Sequence, residues 1–170
     1  MGVTLDDDAR QYLAAFEDET GVDGRDCIVT GGDDFDLERG RTRGYGGSSA
    51  GGSDPDPDPD LEKRLLIVVA TGRMGEAIGP NGRTIRRFED RVGMPVRLVE
   101  GADDPETFVA NALAPAAVYN VTISENQDTV AYVEVAQEDR GVAIGSHGRT
   151  IEAARRLADR HFGIDDVQLL

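Results

Sequence analysis

The chain has 170 residues, which is enough for one domain of ordinary size or for two small ones. It carries 33 acidic against 18 basic residues, a net charge of -15, and its single cysteine excludes an internal disulfide. No apolar run approaches the ~20 residues that span a bilayer, and the start lacks the basic-then-apolar order of a signal peptide. We therefore expect a cytoplasmic protein with no membrane partner, and its two distant histidines argue against a zinc site.

The cations are almost all arginine, since Lys63 is the one lysine among the 18 basic residues. Dense carboxylates with little lysine suit a protein in molar salt. Salt screens the repulsion between the carboxylates, while the net charge keeps the molecule soluble. The composition indicates a halophilic archaeon as the source. The alternative is an ordinary acidic protein that avoids nucleic acid.

The first part of the chain predicts an amphipathic helix, two strands, a pair of helices and a third strand. Thr4 is the expected N-cap of the first helix, and Gly21 is expected to end it. A later helix has Ile85, Phe88 and Val92 at inward-facing positions. The predicted elements are a helix at 4–21, strands at 25–30 and 63–70, a short helix, a helix at about 83–92 and a strand at 94–100.

A segment at 31–60 separates the first two strands and consists largely of Gly, Ser and alternating Asp-Pro. Such a composition cannot bury a core, so we expect a flexible, disordered insertion at the tip of a hairpin. Its Arg39, Arg41, Arg43 and Tyr45 resemble an RNA-contacting Arg-Gly segment. The simpler interpretation is a solvated loop.

The second part of the chain repeats the same order of elements. Asp104 is predicted as an N-cap with Pro105 at the first helical position, and Pro115 lies beyond the helix end. We expect two copies of one unit, at 1–100 and 101–170, held in a fixed orientation by a short connection. The predicted elements are a helix from 105, strands at 118–124 and 129–135, a short helix, a longer helix from 149 and a strand near 165–170.

Each unit contains one nearly identical stretch, "AIGPNGRTI" from Ala77 and "AIGSHGRTI" from Ala143. Two glycines three apart allow positive φ angles and leave no side chain between the backbone and an approaching group. Free amides at the start of the next helix, at the positive end of its dipole, favour an anion. Arg83 and Arg149 add a cation, so the stretch predicts a phosphate cradle.

The two stretches do not match the loops of nucleotide-binding enzymes. A P-loop requires Gly-x-x-x-x-Gly-Lys-Ser/Thr, but alanine stands at its first glycine position (Ala77 and Ala143) and arginine at its lysine position. The dinucleotide pattern Gly-x-Gly-x-x-Gly fails at the same alanines. Both turns also join helix to helix, whereas these motifs join strand to helix. We expect no catalytic residues, no enzymatic activity and no cofactor.

Positive charge clusters around the two stretches. Residues 73–91 hold five arginines and three acids, a net +2, and residues 140–160 hold five arginines and two acids, a net +3. Ten of the 18 cations therefore lie in these two windows of a chain that is acidic elsewhere. A basic patch is a footprint for a phosphate-bearing partner. The alternative is that the arginines are only solvated or ion-paired.

A helix, Gly-x-x-Gly turn and helix beside a three-stranded sheet resembles the KH domain, whose loop clamps about four nucleotides of a single strand. The preceding helix and strand resemble its prokaryotic, type II form. The resemblance implies an α+β fold of two tandem type II KH domains, each a three-stranded sheet packed on helices, with bases held in an apolar groove. The implied RNA-binding residues are Arg73, Ile78, Gly79, Pro80, Asn81, Gly82, Arg83, Ile85, Arg86, Ile144, Gly145, Ser146, His147, Gly148, Arg149, Ile151 and Arg155.

Two such units in succession resemble the archaeal NusA-like transcription termination/antitermination factors, as do the segments "DCIV", "NALAPA" and "RHFGIDDV". The resemblance implies binding of single-stranded RNA, a nascent transcript or rRNA, with RNA polymerase as a further candidate partner and no catalysis. The alternative is a KH-type rRNA-binding or ribosome-assembly factor. Because Ser146 and His147 can donate hydrogen bonds, we expect the second loop to hold phosphate more tightly than the first.

Overall fold

The computed structural model describes residues 6–30 and 63–170. The insertion predicted at 31–60, with Arg39, Arg41, Arg43 and Tyr45, lies outside the described residues. The helices are α1 (Asp7–Thr20), α2 (Met74–Ile78), α3 (Arg83–Val92), α4 (Pro105–Ala112), α5 (Arg140–Ile144) and α6 (Arg149–Phe162). The strands are β1 (Gly24–Thr30), β2 (Arg64–Val69), β3 (Val96–Glu100), β4 (Val118–Glu125), β5 (Thr129–Val135) and β6 (Asp166–Leu169).

The strands form two three-stranded sheets with the same topology. In each sheet the middle strand is antiparallel to the strand before it and parallel to the strand after it, with orders β1-β2-β3 and β4-β5-β6. The helices between the second and third strands supply the crossover that a parallel pair requires. The predicted α+β fold of two tandem KH units is confirmed.

Helix ends follow the capping chemistry of the sequence, with one correction. The Asp6 carboxylate accepts a hydrogen bond from the Ala9 amide at 2.7 Å, so α1 begins at Asp7 and the cap predicted at Thr4 is wrong. Gly21 ends α1 with φ 68°, as predicted. Asp104 caps α4 through the Thr107 amide at 2.8 Å, also as predicted.

Strand β2 is buried on both faces, and each face belongs to a different core. One face packs against α1 and α3, where the rings of Phe16 and Phe88 meet edge to face with centroids 5.3 Å apart. The opposite face carries Leu66 and Val68 into a core shared with Phe108 of α4. Two covered faces account for the uninterrupted apolar run of this strand.

The two halves of the chain are joined by that second core. Helices α4 and α6 contact the first sheet on one side and the second sheet on the other, so the layers run helices, sheet, helices, sheet. Small residues of α6, among them Ala154 and Ala158, let the helix approach both neighbours closely. The halves therefore share one continuous hydrophobic core, which favours the fixed orientation expected from the short connection.

A buried ion cluster ties the same two halves together. Asp26 of β1 receives hydrogen bonds from Arg160 of α6 at 2.8 and 2.9 Å, and His161 Nε2 lies 2.9 Å from its carboxylate. Burial raises the pKa of the Asp26 carboxyl, but the hydrogen bonds from His161 and Arg160 outweigh it and lower the pKa to about 2. Arg160, which belongs to the second basic cluster, is thus an internal structural partner.

Candidate nucleic-acid interface

The two Gly-x-x-Gly loops adopt one backbone conformation. Each begins after a five-residue helix and runs through a short 3-10 turn into the next long helix. The φ and ψ angles of Gly79 (76° and 173°) match those of Gly145 (77° and 168°), and Asn81 (53° and 26°) matches His147 (57° and 24°). The repeated sequence therefore encodes a repeated shape and not only a repeated composition.

The first glycine of each loop is required by its conformation and by its neighbour. Its φ and ψ lie in a region that only glycine adopts readily. A Cβ at Gly79 would lie 2.1 Å from Thr84 Oγ1, and a Cβ at Gly145 would lie 2.3 Å from Thr150 Oγ1. These threonines were not predicted from the sequence as functional residues, although their repetition in both "RTI" segments was the available signal.

The second glycine of each loop faces open space. Gly82 and Gly148 have φ 71° and 73°; a Cβ would meet nothing within 4 Å at Gly148 and only the Arg86 guanidinium, at 3.7 Å, at Gly82. The backbone on this side is accessible to an approaching chain. The amides of Gly82 and Arg83, however, donate to carbonyls inside the turn, so these amides are not the free donors that the sequence predicted.

We predict that Gly79→Ala destabilises the protein by about 3 kcal/mol, because it adds both backbone strain and a clash with Thr84. Gly82→Ala is the matched control, since it places alanine at positive φ without a close neighbour and should cost about 1 kcal/mol. Urea unfolding in molar KCl measures both changes. Equal losses at the two positions would show that the contact with threonine is not the constraint.

The arginines of the first loop have different surroundings. Arg83 is exposed at the start of α3. Arg86 donates hydrogen bonds to the carbonyls of Asn81 and Gly82 and so stabilises the loop conformation. Arg73 pairs with Glu76 at 2.7 Å, and this hydrogen bond raises the pKa of the guanidinium.

The two arginines predicted beside the second loop are either buried or ion-paired. Arg149, the counterpart of Arg83, is only 8% exposed. Arg155 pairs with Glu152 at 2.5 Å and with Asp166 at 2.9 Å. The two sequence windows have similar net charges, but their arginines differ in how much positive charge they expose at the surface.

An open apolar groove of about 380 Å³ lies beside the first loop, between α2, α3 and the edge strand β3. Ile78 is 38% exposed at its rim and Ile85 forms part of its wall, so two of the isoleucines named as candidate RNA-binding residues line this groove. In the second unit Ile144 is 39% exposed, but Ile151 is buried in the core. The residues that line the first groove are Arg64, Met74, Ile78, Ile85, Pro95, Val96, Arg97 and Leu98.

Two lining residues, Arg64 and Arg97, were missed by the sequence reasoning. They lie on β2 and β3, away from the Gly-x-x-Gly motif, and no motif spacing points to them.

Within residues 6–30 and 63–170, no helix is long and apolar enough to cross a membrane. The same residues include no group of three or more side chains placed to hold a metal ion.

The repeated topology and the repeated loop define a tandem KH protein. Residues 105–169 match the sequence family described as the NusA-like second KH domain. The chain is 48% identical to the "Probable transcription termination protein NusA" of Halococcus morrhuae and 47% identical to the protein of that name from Halobacterium salinarum, in each case over 99% of both chains. The chain belongs to the archaeal NusA-like family.

A solved structure supports the fold independently. The protein titled "Crystal structure of APE1850" superposes with a TM-score of 0.71 at 24% identity, covering 98% of this chain and 100% of its own. Both of these relatives come from haloarchaea, which is the kind of organism that the acidic, arginine-rich composition indicated as the source.

Proposed function

We propose that this chain is an RNA-binding factor of transcription termination, antitermination or elongation that holds single-stranded RNA with its two Gly-x-x-Gly loops. The observation that carries the proposal is the identical backbone shape of the two loops, each opening an accessible side at its second glycine. The relatives named for transcription termination support the biological role. The two KH units comprise residues 1–100 and 101–170. We place the protein in the cytoplasm and assign it no catalytic activity.

In this proposal one RNA segment packs against the loop from Gly79 to Gly82 and a neighbouring segment against the loop from Gly145 to Gly148. The absence of side chains at the glycines lets the phosphates come close, and the positive ends of α3 and α6 favour their charge. Each loop alone is a weak site. Because the shared core holds the two loops together, binding of both can gain about 100-fold in avidity.

The net charge of -15 does not oppose RNA binding under the salt conditions that the composition indicates. In molar salt the Debye length is about 3 Å, so distant carboxylates scarcely repel a strand. Counterion release then contributes little attraction. Affinity rests on close contacts at the loops and on apolar surface in the groove.

Crosslinking in cells at native salt tests this function. The protein should crosslink to nascent transcripts and co-purify with RNA polymerase, and the purified chain should bind single-stranded RNA but not the same sequence annealed to its complement. Crosslinks confined to precursor rRNA, with sedimentation alongside ribosomal subunits, would assign it to ribosome assembly instead. Absence of RNA crosslinks would reject both roles.

A further inference from the structure

We propose that the first unit reads the bases of the RNA and supplies most of the affinity, whereas the second unit holds mainly the backbone. This inference rests on the proposed function and deepens it. It reverses the ranking expected from the hydrogen-bond donors of Ser146 and His147. The reason is that the two loops share a shape while their surroundings differ.

Positions in the two units can be matched through the strand register. Leu65 lies opposite Val96 in the first sheet, and Ala131 lies opposite Val167 in the second. The loops supply a second anchor, because Gly79 corresponds to Gly145. Residues that flank these anchors occupy equivalent places in the two units.

Two apolar residues that line the first groove are matched by charged residues in the second unit. Pro95, directly before β3, is matched by Asp166, an ion-paired carboxylate. Met74 is matched by Arg140, whose guanidinium donates to the carbonyl of Leu170. An unstacked base gains free energy by covering apolar surface, whereas a carboxylate beside the strand repels its phosphates.

The rim of the first groove also carries two cations that the second unit lacks. Arg64 and Arg97 line the groove, and their matched positions are Val130 and Gln168. Arg97 is held in place because it donates to the carbonyl of Ala112 at 2.6 Å. A guanidinium fixed beside an apolar groove can both neutralise a phosphate and stack on a base.

The loops themselves differ in the charge displayed beside them. Arg86, which braces the first loop, is matched by Glu152 in the second. Arg83 is exposed, whereas Arg149 at the same position is buried. The first unit therefore presents more positive charge to a strand, even though the sequence windows contain equal numbers of arginines.

The two sites are connected. A narrow crevice lined by Arg64, Arg97, Arg149 and Thr150 continues from the rim of the first groove to the start of α6. Thr150 is the residue against which Gly145 packs. Three arginines therefore place positive charge between the first groove and the second loop.

Two matched variants test the ranking. Ile78 and Ile144 occupy equivalent positions and are 38% and 39% exposed, so truncation should leave the fold of either variant intact. The probe is a fluorescein-labelled pool of random single-stranded RNA of about eight nucleotides in molar KCl. We expect Ile78→Ala to weaken binding about tenfold and Ile144→Ala less than about twofold. Equal losses, or a greater loss for Ile144→Ala, would overturn the inference.

A third protein, carrying both Asn81→Asp and His147→Asp, separates this inference from the proposed function. If that double variant binds the RNA pool as well as the wild type, the loops do not hold RNA and the proposed function fails. If the double variant loses binding while the two isoleucine variants are equivalent, the loops are correctly assigned and only the ranking is wrong. Circular dichroism of every variant verifies that the fold is retained.

Discussion

Replacing both Asn81 and His147 by aspartate should weaken binding of single-stranded RNA by at least about 100-fold. Both residues lie at the exposed tips of the loops at φ 53° and 57°, a left-handed conformation that aspartate also tolerates. The substitutions therefore add charge without adding strain. Two unit charges 4 Å apart interact by about 4 kcal/mol at an effective dielectric of ~20, and molar salt reduces this repulsion without removing it at such close range.

The control for this double variant adds the same charge elsewhere. Asn126→Asp and Gln127→Asp place two carboxylates in the exposed turn between β4 and β5, outside both Gly-x-x-Gly loops. Fluorescence anisotropy in molar KCl should show the control binding RNA like the wild type. Similar losses in both double variants would mean that net charge, and not the loops, controls binding.

The elements that the sequence predicted well are those whose determinants are local. The loop conformation depends on two glycines and a helix start, and the caps at Asp104 and Gly21 depend on single residues. The difference between the sheets was also visible. The unbroken apolar run of β2 corresponds to two covered faces, whereas the alternation in β5 corresponds to one.

The partners of the arginines could not be predicted from the sequence. Arg155 and Arg160 stand in a basic window, yet one pairs with acids of its own unit and the other with Asp26 across the interface. A count of charges along the chain does not contain the distances that decide these pairings. Ile151 is buried for a similar reason, because α6 is covered by the first sheet as well as by the second.

The interface between the two units, where Asp26 of β1 binds Arg160 and His161 of α6, should be the part of the fold whose stability is most sensitive to substitution. Asp26→Asn is expected to lower the free energy of unfolding by about 3–5 kcal/mol, because it leaves the partly buried Arg160 without its counter-charge. Asp18→Asn removes a solvent-exposed pair with Arg91 and should cost far less than Asp26→Asn. Urea unfolding in molar KCl compares the two; similar losses would contradict a structural role for the buried cluster.

The same cluster predicts a dependence of stability on pH. The pKa of Asp26 is about 2 in the folded protein against 3.8 ordinarily, so its stabilising contribution is complete above about pH 4 and is lost as the pH falls through 2. As the pH falls from about 4 through 2, the free energy of unfolding of Asp26→Asn should decrease less than that of the wild type. A mutant and a wild type with parallel acid-unfolding profiles would be inconsistent with the lowered pKa.

The same interface also bears on RNA binding, because avidity requires two loops held at a fixed separation. His161 lies between Phe108 of α4 and Asp26 of β1, so loss of the carboxylate loosens a contact that orients α6 and the loop that precedes it. Under conditions where Asp26→Asn remains folded, RNA of about four nucleotides should bind as it does to the wild type, since one loop suffices. RNA of about eight nucleotides should bind more weakly, because only that length engages both loops at once.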